Sequence, residues 1–111
     1  MNKVAMIDIA KYMLKKADGR LGDACESFYQ ARRGLQYAFR MVSDDMFDLA
    51  AAKALERAAS DYRCALSERL HATAECEGLK RGLLDNGFTE DEITDMLWQA
   101  MAEANEAERS K

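Results

Sequence analysis

The chain has 111 residues, enough for one small domain. Hydrophobic residues make up 49% of it and charged residues 32%, so a core is possible and disorder is not expected. Proline is absent and no stretch alternates like a strand, a combination that points to long helices and away from β architecture.

The net charge of −4 is unevenly spread. Residues 1–42 carry 8 Lys/Arg against 4 Asp/Glu, whereas residues 43–111 carry 8 against 16. Such asymmetry steers a partner or favours association of unlike halves. The first residues include Lys3, Asp8 and Lys11 and have no long apolar centre, so no secretory signal is expected. The longest uncharged run, 96–102, is far too short for a membrane span. Cys25, Cys64 and Cys76 are odd in number and form no C-x-x-C pair. Cys64 and Cys76 fall on one predicted helix and cannot bridge within it. Reduced core thiols in an intracellular, cytoplasmic protein are the expectation.

The first predicted helix covers about 3–17, with Val4, Ile7, Tyr12 and Leu14 apolar and Met6, Ile9, Ala10 and Met13 crowding beside them. Asp18 and Gly19 read as its stop, since glycine takes the left-handed conformation without penalty. The second covers 23–42. Asp23 and Glu26 resemble a capping box, and Phe28, Ala31, Leu35, Ala38 and Val42 form a 3-4 seam widened by Cys25, Tyr29 and Phe39. Ser43, Asp44 and Asp45 read as a break and a new helix start.

The third predicted helix, 44–85, would span about 60 Å at 1.5 Å per residue. Leu55, Ala58, Tyr62, Ala65, Ala72, Cys76, Leu79 and Leu83 keep one heptad frame, interrupted by Arg69. Small residues recur at Ala51, Ala58, Ala65 and Ala72, where a neighbouring helix can approach closely. Ser60–Asp61 or Gly78 and Gly82 are the places for a kink. The strongest local signal lies at 86–93. Gly87 is a stop, Thr89 and Glu92 form a capping box, and Phe88 and Ile93 form a hydrophobic staple. A fourth helix follows over 89–106, with Ile93, Met96, Leu97, Ala100, Met101 and Ala104 inward.

These elements predict one all-α domain over 1–111. A long antiparallel helical hairpin with coiled-coil-like packing carries two shorter helices at its ends. The third helix outruns the second by about twenty residues, roughly 30 Å of seam. A second copy is the natural cover, through Leu55, Tyr62, Ala65, Ala72, Cys76 and Leu79, so a homodimer is expected.

No catalytic, cofactor-binding or metal-ligating set is assigned, and no enzyme is expected. Glu68 and His71 read E-x-x-H with Glu75 one turn on, but di-iron bundles need two such pairs and two further glutamates. Cys64 and His71 are separated by two turns, about 10 Å, too far for direct activation along one helix. The acids Asp85, Glu90, Asp91, Glu92 and Asp95 lack the glycine that a calcium loop begun at Asp85 requires at Glu90, and fit capping instead.

The segment 14–40 resembles the helix-turn-helix of the Fis class. Gly19 falls at the loop glycine, Ala24 and Cys25 at the small packed pair, and Phe28 at the apolar position after them. Arg32, Arg33 and Leu35 would open a recognition helix that Arg40 follows. Tyr29 stands where the turn glycine belongs and Gln30 where an apolar residue belongs. The resemblance implies a DNA-binding transcriptional regulator with a dimerising long helix, and a turn at Tyr29–Gln30 is its structural requirement. One continuous helix through 23–42 is the competing account of the 3-4 spacing. Trp98 falls between inward positions and either packs within the fold or anchors a partner. The leading expectation is a non-enzymatic helical interaction protein that binds another protein. Short acidic chains of this kind occur among phage and mobile-element accessory proteins, including inhibitors of host defence.

Overall fold

The computed structural model describes residues 3–45 and 47–110. They form three helices, α1 (Lys3–Asp44), α2 (Leu49–Asp85) and α3 (Glu90–Arg109), with no strand among the described residues. The fold is all-α. α1 and α2 pair as an antiparallel hairpin with heptad packing, and α3 flanks it. Two compact units divide the chain, one comprising Met1–Leu21 with Thr73–Lys111 and the other Gly22–Ala72.

In the three-helix unit, Ala10, Leu14, Leu83, Phe88, Ile93 and Met96 form the core, and Met6, Ile7, Leu79 and Leu97 pack against it. The α2–α3 corner is built as its residues require. Gly87 has φ +95° and closes a Schellman motif, in which the Phe88 N–H donates to the Leu83 carbonyl at 3.1 Å and the Gly87 N–H to that of Leu84 at 3.1 Å. Thr89 then caps α3. Its hydroxyl accepts from the Glu92 N–H at 3.2 Å, while Glu92 accepts from the Thr89 N–H at 3.1 Å. Phe88 and Ile93 are both buried on either side of that cap.

α3 carries 7 Asp/Glu and one Arg, and lysines on the other two helices meet it. Lys3 lies 2.9 Å from Glu92, Lys11 lies 2.6 Å from Glu103, and Lys80 lies 3.6 Å from Glu90. The Lys3 ammonium, and after it the Thr89 N–H, hold the Glu92 carboxyl below the usual carboxylate range. A lowered folded-state value means stability that is present above the unfolded glutamate's pKa, about 4.3, and is lost as pH falls through the folded one. The thermal midpoint should therefore drop on acidification from pH 5 to pH 3 by less in Glu92→Gln than in the parent chain. An equal drop in both would remove Glu92 from the acid response.

Among the described residues of the hairpin unit, Ala24, Ala38, Ala51, Ala65 and Ala72 are buried. Alanines at sevens on both helices let the helix backbones approach closely. Phe28 fills the layer between them, with its ring centroid 5.2 Å from that of Tyr62 and the Arg69 guanidinium 4.8 Å above it. The charge that interrupts the heptad frame is thus accommodated by a cation–π contact.

Two boundaries differ from expectation. α1 runs unbroken through Asp18, Gly19 and Gly22, so the helices expected over 3–17 and 23–42 are one, and one shorter helix flanks the hairpin rather than two. The break after Val42 also moves: α1 ends at Asp44 and α2 starts at Leu49. The cap is Asp48, whose Oδ1 accepts from the N–H groups of Ala50 at 2.9 Å and Ala51 at 3.3 Å. Met46, which the expected 44–85 helix contained, lies outside the described residues. The single helix expected through Ser60–Asp61, Gly78 and Gly82 is continuous there, as α2.

Candidate interaction surface

The hairpin unit has two flanks, set by the heptad. One holds a shallow groove of about 770 Å³, bordered by Ser27 and Gly34 of α1 and by Asp61 and Glu68 of α2. Asp23 and Glu26 add two further carboxylates to its rim. Cys64 is exposed and lines this groove, so it is not the packed core thiol expected.

On the opposite flank, Cys25, Arg32 and Phe39 recur at sevens on α1, and Ala52, Ala59 and Leu66 do so on α2. Phe39 is 54% exposed, and Tyr29 and Leu70 beside this row are also exposed. Tyr29 and Phe39 therefore lie off the seam that they were expected to widen. The charges here are Arg32, Arg63 and Arg33, whose guanidinium lies 5.8 Å from the Tyr29 ring centroid, with Glu56 as the acid. Arg40 is exposed one heptad beyond Arg33. At the hairpin tip Phe47 is 95% exposed, and Leu49 follows it at 68%. The Phe47 N–H donates to Asp45 Oδ1 at 3.1 Å, a turn that fixes the chain while leaving the phenyl ring in solvent.

α1 is helical through Tyr29 and Gln30. The turn that a helix-turn-helix over 14–40 requires is absent, because the 3-4 seam of α1 packs continuously on α2. Arg32, Arg33 and Arg40 consequently sit on one helix of a hairpin and not on a recognition helix.

The residues expected to meet a second copy lie within the chain's own packing. Tyr62 meets Phe28, and Ala65 and Ala72 are buried, while Leu55 is half-buried in the same seam. In the three-helix unit Leu79 packs on the core, and the Cys76 thiol donates to the Ala17 carbonyl at 3.4 Å. Burial first, then the carboxylates of Asp18 and Glu75, push that thiol's pKa up, which makes it a poor nucleophile. α1 has 42 residues and α2 has 37, so no excess length of α2 is left for another chain to cover.

Trp98 is 67% exposed on α3, away from the core. His71 is exposed on α2, and among the described residues no three His, Cys, Asp or Glu side chains group to hold a metal ion. No described helix is long and apolar enough to cross a membrane. No protein-family model, curated protein or solved structure matches this chain.

Phe47, Leu49 and Leu70 were not singled out from sequence. The signal available was their place outside the a and d positions of the heptad, legible only with the helix boundaries in hand.

Proposed function

We propose that this chain is a non-enzymatic helical interaction protein whose exposed surface binds another protein. The observation that carries the reading is the contrast between its two units. The three-helix unit buries leucine, phenylalanine, isoleucine and methionine. Among the described residues of the hairpin unit only alanines are fully buried, with Phe28, Leu35, Leu55 and Tyr62 half-buried, while Tyr29, Tyr37, Phe39, Phe47, Leu49 and Leu70 are exposed within it. Both units expose large apolar side chains, but in the hairpin unit they surround a seam of buried alanines, and apolar surface left outside so thin a core marks a contact surface. Their burial against a partner would supply the apolar area that two helices cannot bury against each other. Trp98 and the arginines 32, 33 and 40 are candidates for the same purpose, since tryptophan and arginine are enriched where binding energy concentrates.

A role of the kind played by phage or mobile-element accessory proteins, blocking a host protein by occupying its surface, is in keeping with the small size and acidity of the chain. A cytoplasmic location belongs to the same proposal. A homodimer would have to form outside the α2 seam, which α1 occupies.

The test is affinity capture from a lysate of the native host, with the parent chain and the double variant Phe39→Ala/Phe47→Ala as paired baits. A partner held by the parent and lost by the folded variant, and rebinding after purification of both proteins, is the expected result. Failure of the parent to retain any partner that rebinds when purified would overturn the reading.

A further inference from the structure

The three-helix unit contains its own example of how a hairpin flank is covered. α3 lies on the side of Lys11 and Asp18 of α1 and Lys80 of α2. Lys11 pairs with Glu103 and Lys80 with Glu90, and Asp18 and Lys80 border the same small cavity as Ile93, Thr94 and Leu97 of α3. The covering helix is amphipathic and acidic. Ile93, Met96 and Ala100 are buried along one face, and with 7 acids and one Arg it carries −6.

The heptad repeats the two positions of this flank in the hairpin unit. Lys11 and Asp18 recur at sevens as Cys25, Arg32 and Phe39, and Lys80 recurs through Thr73 as Leu66 and Ala59. The chemistry recurs as well: an apolar strip with cations beside it. Phe39, Leu66 and Leu70 supply the strip, and Arg32 and Arg63 supply positive charge beside it, joined by Arg33 where it leans over the Tyr29 ring, with Glu56 as an acid. No described helix of the hairpin unit covers it.

We propose that this flank of the hairpin unit docks an acidic amphipathic helix of a partner protein, in the way that α3 docks in the three-helix unit. The proposal rests on the interaction-protein reading and names its surface and the chemistry of the partner. Apolar residues at helical spacing would fill the row between Phe39 and Leu70, a groove-binding mode common in helix recognition. Acids on the rims of that helix would meet the arginines. The opposite flank, with Asp23, Glu26, Asp61 and Glu68, would repel it.

The probe is a fluorescein-labelled synthetic peptide of residues 88–109, titrated with the full chain and read by fluorescence anisotropy. Saturable binding is expected below about 100 µM, weakening with added salt. Arg32→Glu/Arg63→Glu and, separately, Phe39→Ala should each weaken it about tenfold while the circular dichroism melt stays in place. A peptide with its acids changed to amides should bind about tenfold more weakly. Absence of saturable binding would overturn the proposal. So would binding that the three substitutions leave unchanged, since the peptide would then be replacing α3 in its own unit. Sedimentation equilibrium supplies the remaining arm: a dimer abolished by the same substitutions would assign the flank to a second copy and overturn the acidic partner. Peptide failure combined with specific capture of a host protein would sink this inference and leave the interaction-protein reading standing.

Discussion

Phe88→Ala should destabilise the chain by about 3–5 kcal/mol, the cost of truncating a buried phenylalanine and leaving a cavity behind. Phe88 is 3% exposed and sits in one cluster with Leu83, Ile93 and Met96, so its ring joins the end of α2 to the start of α3. Thr89→Ala removes only the cap bond to Glu92 and should cost about 1 kcal/mol. Lys53→Ala, at an exposed helical position, should stay within about 0.5 kcal/mol of the parent. Urea denaturation of the three variants should therefore rank them Phe88, Thr89, Lys53 by loss of midpoint. If Phe88→Ala and Thr89→Ala both left the midpoint unchanged, α3 would not belong to the cooperative core.

That corner was legible residue by residue because each of its signals is local. A positive-φ glycine, a threonine cap, an acid three residues later and two apolar residues straddling them act over eight positions. None depends on another element being placed first. The helix boundaries upstream were harder. Asp18 and Gly19 carry a genuine stop signal, yet α1 passes through them because Leu14, Ala17, Leu21, Ala24 and Phe28 continue the 3-4 seam without a gap. Each helical glycine costs about 1 kcal/mol relative to alanine, and packing of the seam on α2 outweighs that local preference. The same error hid the length of α1, and with it the cover for α2. An expected dimer interface turned out to be occupied by the chain's own helix.

Surface features were legible in part. Arg32, Arg33, Arg40 and Trp98 are exposed. Phe39 and Tyr29 were grouped with the seam because a helical wheel drawn for one helix alone cannot say how wide its covered arc is. Two packed helices cover a narrow arc, since each meets a single neighbour. Three cover a wide one, and in the three-helix unit α3 takes up the additional apolar face. The number of neighbours, more than the apolar periodicity, decides which aromatic residues are left for a partner.

The alanine seam carries the second large effect. Ala38→Leu should destabilise the chain by about 1–3 kcal/mol, the usual cost of forcing extra methylenes into a packed interface. Ala38 is 6% exposed and belongs to the series at sevens that includes Ala24 and Ala31. A leucine there must either leave its preferred rotamer or push the helices of the hairpin unit apart. Separation would loosen Phe28 from Tyr62, whose contact depends on the close approach that alanine permits. The control is Ala52→Leu, one of the exposed alanines on α2, which should change stability by no more than about 0.5 kcal/mol. Leucine and alanine have similar helix propensities, so the difference between the two variants reports packing and not helix formation. Equal denaturation midpoints for Ala38→Leu, Ala52→Leu and the parent would mean that the hairpin helices are not in close contact. The flank assigned to an acidic helix would then lack the rigid two-helix platform on which its spacing of Phe39, Leu66 and Leu70 depends.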